Sequence, residues 1–125
     1  MRVLVVAAHP DDEVLGVGGT IAWHAARGDT TYIFIPGVGR SEDTGATPDE
    51  IAALHDTARE VARYLGAFFV DEGSFTLPDN QLDTVSLLDV AKLVGDAVRH
   101  VRPDVVYTHH AHDLNVDHRR IHEAV

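Results

Sequence analysis

Residues 3–13 read Val3-Leu4-Val5-Val6-Ala7-Ala8-His9-Pro10-Asp11-Asp12-Glu13, and this stretch decides the fold class. Its first six residues form an uninterrupted apolar run, which is typical of a strand buried on both faces of a parallel sheet. The pattern then changes, because apolar residues recur at three- and four-residue spacing at Val14, Val17, Ile21 and Ala25. That spacing predicts an amphipathic helix that starts near Asp11 and stops at Gly28. A buried strand followed directly by a helix is the first unit of an α/β fold.

The same strand-then-helix order recurs along the rest of the chain. Further strands are predicted over residues 31–35, 67–70 and 104–108, and further helices over residues 48–65, 84–101 and from Arg119 onward. Connections of this length are too long for hairpins and favour right-handed parallel crossovers. We therefore predict one α/β domain over residues 1–125, a Rossmann-like three-layer αβα structure with a mainly parallel sheet. Its active site is expected at the carboxyl ends of the strands.

Composition limits the function classes that fit this chain. Its 125 residues carry 10 Lys and Arg against 20 Asp and Glu, a formal net charge of −10, and the cations are scattered. No nucleic-acid partner is expected, because phosphate binding requires clustered cations. The absence of cysteine excludes disulfides, thiolate zinc ligands and cysteine nucleophiles. The N-terminal apolar run is too short for a signal peptide or a membrane span, so we expect a cytoplasmic protein without a membrane partner.

Unusual polar residues follow each predicted strand. Ligands of parallel α/β sheets bind beyond the carboxyl ends of the strands, and residues 9–13, 37–41, 71–74 and 109–118 fall there. Histidine is the extreme case, because five of the nine histidines lie within residues 109–122. Such crowding points to a metal-binding or proton-transfer site.

The junction between the first strand and the first helix offers two metal ligands. His9 and Asp12 are three residues apart, so a helical turn between them would point both side chains the same way. One further histidine from the loop after the fourth strand would complete a three-ligand set with an open position, the pattern of a catalytic zinc site. Asp11 would then be free to act as a base. Helix capping is the alternative explanation for Asp11 to Glu13, but it leaves His9 without a role.

Two motifs carry a family resemblance. Ala8-His9-Pro10-Asp11-Asp12-Glu13 after the first strand, and Asp113-Leu114-Asn115-Val116-Asp117-His118-Arg119 after the fourth, closely resemble the LmbE-like, or PIG-L, family of zinc-dependent N-acetyl-sugar deacetylases. Residues 36–40 and 77–83 look like intermediate landmarks of that family. The resemblance implies that His9, Asp12 and His118 bind Zn²⁺, with another divalent ion such as Fe²⁺ as the alternative, and that Asp11 is the general base. The implied substrate is a small N-acetylated amino sugar or its conjugate.

The resemblance also implies roles for residues around the metal. Arg40 matches a position that touches substrate, and Asp117 would orient a neighbouring imidazole. Some family members carry a histidine, which acts as acid, three residues before the zinc-binding one. This chain has Asn115 there, which can donate a hydrogen bond to the substrate oxyanion but no proton. His110 or His112 would then supply the proton, and the adjacent pair His109-His110 favours His110.

Other readings of the sequence stay open beside this one. A catalytically silent metal-binding domain is favoured by Asn115 and by length, because family members continue well beyond residue 125 and this chain resembles the N-terminal part of a longer domain. A nucleotide-binding module is the less favoured alternative, since Gly16-Val17-Gly18-Gly19 does not have the G-x-G-x-x-G spacing. Assembly into a homo-oligomer is a further expectation.

Overall fold

The computed structural model describes residues 1–125 and contains one four-stranded parallel sheet. The strands are β1 (Arg2–Val6), β2 (Thr30–Phe34), β3 (Phe68–Phe69) and β4 (Val105–Tyr107), in the order β3-β2-β1-β4. The helices are α1 (Asp12–Ala26), α2 (Pro48–Tyr64), α3 (Leu87–Val101) and α4 (Val116–Ala124). The predicted α/β class with a parallel sheet is confirmed. None of the four helices is both long and apolar enough to cross a lipid bilayer.

The central position of β1 explains its continuous apolar sequence. Residues 3–8 are at most 3% exposed, because β1 pairs with β2 on one side and β4 on the other while helices cover both faces. One core packs residues of α3 and α4, such as Val94 and Ile121, beneath the sheet. The other packs residues of α1 and α2, such as Ile21 and Ala62, against the opposite face. The two cores make the three layers that the sequence predicts.

Several element boundaries differ from the sequence prediction. Strand β3 has two residues instead of four, and α3 begins at Leu87 instead of residue 84, because Ser86 caps it by accepting the N–H of Asp89. The prediction that the last helix begins at Arg119 is wrong, since α4 begins at Val116. The cause is Asn115, whose side chain accepts the backbone N–H of Asp117 at 2.8 Å and that of His118 at 3.4 Å. Such a cap satisfies N–H groups that a helix start otherwise leaves without partners.

Gly37 allows the loop after β2 to approach the end of β1. Its N–H donates to the carbonyl of Ala8 at 3.0 Å, and a Cβ at position 37 would lie 2.2 Å from that carbonyl oxygen. Only glycine fits so close an approach between backbones. The contact places the loop of residues 37–41 next to the segment that starts at His9.

Candidate metal centre

Three side chains from the two ends of the chain converge beyond the carboxyl end of the sheet. The Nδ1 atom of His9 lies 3.3 Å from Oδ2 of Asp12, and the Nε2 atom of His118 lies 3.1 Å from the same oxygen. One ligand atom from each of the three residues falls within 4.8 Å of the others. The side chains are 12–16% exposed, so the cluster is shielded and still open to a small ligand.

The elements of the fold fix each of the three residues. His9 follows β1, and its backbone N–H donates to Oδ2 of Asp12 at 3.0 Å, which locks the turn into α1. His118 lies in the first turn of α4. Because β1 and β4 are neighbours in the sheet, the segments that follow them meet at one point. The predicted proximity of His9 and Asp12 is present, but it arises from the bond between the Asp12 side chain and the His9 N–H and not from a helical turn, because Asp11 between them has a φ of 139°.

A carboxylate lies against the outer nitrogen of each imidazole. The Nε2 atom of His9 is 2.6 Å from Oδ2 of Asp117, and Oδ1 of the same fully buried carboxylate accepts the N–H of Leu82 at 2.9 Å. The Nδ1 atom of His118 lies 3.1 Å from Oδ2 of Asp113, without the angle of a hydrogen bond. Asp79 is a second, more distant neighbour of His9, at 3.6 Å. This arrangement leaves Nδ1 of His9 and Nε2 of His118 facing Asp12.

The surrounding charges shift the pKa values of the cluster strongly. Burial lowers the pKa of His9, but the hydrogen bonds and negative charges of Asp117 and Asp12 outweigh it and raise the pKa to about 10. Burial also opposes ionisation of Asp12, yet contact with His9 and His118 holds the pKa of that carboxyl below its usual value. Carboxylates that stay ionised in a partly buried cluster require a positive partner. In the absence of a metal ion, the His9 proton fills that role.

Asp11 lies beside the cluster in a strained backbone conformation. Its φ of 139° and ψ of −29° are uncommon for a residue with a side chain. The residue is exposed, and its side chain does not cap α1. Partial burial, followed by the nearby Asp12 charge, raises the pKa of the Asp11 carboxyl. A raised pKa favours proton acceptance.

His109 also belongs to the cluster, although only its neighbour His110 was predicted to act there. Its Nε2 accepts the N–H of Ala8 at 2.8 Å, its ring stacks on His118 with centroids 3.8 Å apart, and Nε2 lies 3.7 Å from Oδ2 of Asp12. Because a backbone N–H can only donate, the proton of neutral His109 is on Nδ1. Burial and the adjacent His118 lower the pKa of His109 to about 4.

The remaining predicted residues lie at the edge of the cluster. His110 is exposed, and its Nδ1 accepts the N–H of His112, which is also exposed, at 3.1 Å. His110, His109 and Asp12 line a cavity of about 240 Å³. Arg40 is exposed on the loop after β2 and forms no salt bridge. Asn115 is occupied by the cap of α4, and its amide N–H donates to Asn80 at 3.3 Å.

The donor set fits a divalent metal ion. Imidazole nitrogens together with a carboxylate oxygen are ligands that zinc and non-haem iron prefer. Two overlapping groups are also close enough to bind an ion, namely His109 with Asp113 and His118, and His9 with Asp79 and Asp117. The set of His9, Asp12 and His118 is the better candidate. The carboxylates beside the outer nitrogens of the two histidines leave their inner nitrogens free to coordinate.

Asp113 and His109 belong to the cluster but were not predicted from the sequence. Asp113 lies in the second motif, but its spacing of five residues from His118 did not indicate that its side chain points toward His118. His109 could be recognised as a member of the cluster only from the pairing of β4 with β1. Val5 pairs with Tyr107, so His109, two residues after Tyr107, lies level with Ala7. Neither the strand order nor the register is visible in a single sequence.

Comparison with known proteins agrees with the two motifs. The family model described as "PIG-L: GlcNAc-PI de-N-acetylase" matches residues 4–125. A 1D-myo-inositol 2-acetamido-2-deoxy-α-D-glucopyranoside deacetylase from Kineococcus radiotolerans is 31% identical, over 98% of this chain and 43% of that protein. The chain therefore spans about half the length of such relatives, or less.

Several solved structures are also similar to this chain in fold and sequence. The conserved protein TT1542 from Thermus thermophilus has a TM-score of 0.78 and 34% identity, over 98% of this chain and 52% of that one. The N,N′-diacetylchitobiose deacetylase from Pyrococcus horikoshii has a TM-score of 0.73 and 26% identity, over 98% and 47%. A 4-carboxy-2-hydroxymuconate hydratase from Pseudomonas putida is also similar, with a TM-score of 0.67 and 26% identity over 98% and 55%. By its motifs, its fold and the match over residues 4–125, this chain belongs to the PIG-L (GlcNAc-PI de-N-acetylase) family.

Proposed function

We propose that this chain carries the site of a metal-dependent deacetylase that hydrolyses the N-acetyl group of an N-acetylglucosamine-type sugar or conjugate. The observation that carries the proposal is the convergence of His9, Asp12 and His118 within 4.8 Å in a member of the PIG-L family. Names of similar proteins support the substrate class, since an inositol-linked acetamido sugar deacetylase and a diacetylchitobiose deacetylase are among them. In this reaction water adds to the acetamide carbon, the C–N bond breaks, and acetate and the free amine leave.

His9, Asp12 and His118 would hold the metal ion in this proposal. Zn²⁺ is the proposed ion and Fe²⁺ the alternative, because both accept two imidazoles and one carboxylate. A bound ion of this kind supplies Lewis acidity, which polarises a carbonyl and makes a water molecule more acidic. Asp117 orients His9 through the contact at its Nε2 atom.

Asp11 is proposed as the general base. It adjoins the ligand Asp12, its carboxyl makes no capping hydrogen bond, and its pKa is raised by burial and by the neighbouring charge. A carboxylate in this position can take a proton from the attacking water and hold it until the amine leaves. The proposal accounts for two adjacent aspartates with different tasks.

His110 is proposed as the group that protonates the departing amine. To give up a proton, His110 must be an imidazolium with both ring nitrogens protonated, so the bond in which its Nδ1 accepts a backbone N–H would open in that state, beside the cavity that His110 shares with Asp12. Arg40 is proposed to contact the substrate from the loop after β2. Asn115 is also proposed to contact the substrate, although its amide group here caps α4 and donates to Asn80.

Metal analysis combined with amine release tests this function. The purified chain reconstituted with zinc should contain about one ion per chain and release amine from N-acetylglucosamine conjugates. His9→Ala should lose both properties, whereas His100→Ala, a matched change at an exposed histidine of α3, should lose neither. Zinc binding without amine release from any acetylated amino sugar would indicate a silent metal-binding domain. Turnover of an unsaturated carboxylate instead would point to the chemistry that the Pseudomonas hydratase is named for.

A further inference from the structure

Glu13 is a buried carboxyl group that the proposed reaction does not use. It is 2% exposed, lies at the second position of α1, and forms no salt bridge. Burying a carboxyl group without a cation is costly unless a hydrogen bond compensates. Its Oε2 atom accepts the backbone N–H of Asp11 at 3.0 Å. The buried carboxyl group therefore binds the backbone of Asp11, the residue proposed as general base.

The bond acts at a point of backbone strain. Asp11 has a φ of 139°, and such a conformation persists only where the surroundings hold it. The direction of the Asp11 side chain depends on that conformation, because the Cα–Cβ bond turns with the backbone. Relaxation to an ordinary φ would move the carboxylate away from its place next to Asp12.

We propose that Glu13 is a positioning residue, whose carboxyl oxygen holds the Asp11 backbone so that the Asp11 carboxylate faces the reacting water. The inference rests on the proposed function in its choice of Asp11 as base, while the hydrogen bond itself can be measured separately. The requirement is for an acceptor oxygen at position 13 and not for a charge. A glutamine at this position should therefore be able to replace the glutamate.

The capping of α2 provides a matched control. Glu50 accepts the N–H of Thr47 at 2.9 Å, the same type of bond from a first-turn glutamate to the residue before its helix. Thr47 has an ordinary φ of −78°, and Glu50 is exposed. Removing Glu50 therefore removes a similar capping bond without touching the strained residue of the site. If Glu13 acted only as a helix cap, Glu13→Ala and Glu50→Ala should have equal effects.

The first test compares kcat, KM and zinc content for Glu13→Ala, Glu13→Gln and Glu50→Ala. Misplacement of a catalytic group by about 1 Å can cost about 10²-fold in rate, so Glu13→Ala should lower kcat by about 10- to 100-fold, with KM and zinc content unchanged. Glu13→Gln should restore kcat, and Glu50→Ala should leave it at the wild-type value. In an Asp11→Asn background, Glu13→Ala should cause no further loss, because Glu13 acts through Asp11. Equal loss in the alanine and glutamine variants, or full activity of Glu13→Ala, would overturn the inference.

The second test does not depend on activity. In ¹⁵N-labelled protein, the Asp11 amide should be protected from hydrogen exchange in the wild type and in Glu13→Gln, and should lose about tenfold or more of that protection in Glu13→Ala. An Asp11 amide that is unprotected in the wild type would overturn the inference, whatever the activity. If protection follows this order but the zinc-loaded wild type releases no amine, the proposed function fails and the positioning of Asp11 stands.

Discussion

Replacing Asp117 by asparagine should weaken zinc binding without removing a ligand. In the wild type, the proton on Nε2 of His9 can point to Oδ2 of Asp117, 2.6 Å away, so Nδ1 is the nitrogen that gives up its proton and coordinates when zinc binds. The other oxygen of Asp117 accepts the N–H of Leu82 at 2.9 Å. An asparagine that keeps the bond to Leu82 turns its NH₂ group toward His9. Nε2 must then accept, and the imidazole proton moves to Nδ1, where it blocks the metal.

Both orientations of the new amide are unfavourable. The first imposes the wrong tautomer on His9, and the flipped one places its NH₂ group against the N–H of Leu82 in a fully buried position. Leaving a buried polar group without a partner costs about 1–3 kcal/mol. Loss of a carboxylate behind a metal-bound imidazole typically lowers metal affinity by about 10- to 100-fold, or about 1.4–2.8 kcal/mol. We expect zinc affinity to fall by that factor.

Competition with a chromophoric chelator at fixed pH measures this change. Asp83→Asn is the matched control, because it removes the same charge from an exposed residue one position beyond Leu82 and should leave the affinity within about twofold of the wild type. Circular dichroism should show Asp117→Asn folded at the temperature of the assay. Zinc affinity equal to that of Asp83→Asn, in folded protein, would refute the tautomer argument and the choice of Nδ1 as the coordinating atom of His9.

Four other predictions follow from the same geometry. Asp11→Asn should retain zinc and lower kcat by about 10² to 10⁴-fold, and loss of zinc would instead identify Asp11 as a ligand. Because Asp117 and Asp12 outweigh burial and raise the pKa of His9 to about 10, zinc must displace a proton from His9. The logarithm of the zinc affinity should therefore rise by about one per pH unit between about pH 6 and 8. Calorimetry in buffers of different ionisation enthalpy should count about one released proton. Asn115→Ala should lower the free energy of unfolding in urea by about 1 kcal/mol, while Asn115→Ser keeps most of it. His110→Ala should lower kcat and spare zinc content, and an equal effect of His112→Ala would mean that the two histidines act together.

Local signals made the first half of the fold predictable. The run of residues 3–8 predicts a central strand because burial on both faces leaves no position for a polar side chain. The start of α2 was predictable for a similar reason, since Thr47 and Glu50 form the reciprocal capping bonds that their spacing predicts. Such features depend on neighbours within a few residues, and the sequence displays those neighbours.

Features that depend on distant pairing could not be read in the same way. The start of α4 is a different case, because its cap at Asn115 is local but its polar first turn has no apolar spacing to mark the helix. The place of His109 in the cluster depends on which strand lies next to β4. The parallel register with β1 directs His109 to the N–H of Ala8 and leaves His110 exposed.

The candidate metal centre depends on the starts of two helices more than on the strands that precede them. Asp12 begins α1, and Asp117 and His118 lie in the first turn of α4, where the positive end of a helix dipole stabilises a carboxylate. The fold can therefore hold these carboxylates ionised before an ion arrives, with the proton on His9 balancing their charge until a cation replaces it. A frame of this kind supplies a cation site without specifying a reaction, consistent with the occurrence of proteins named as a deacetylase and as a hydratase among similar structures. In the proposed function, the reaction is determined by the groups that handle protons around the ion, and Asp11, held in a strained conformation, is the proposed base among them.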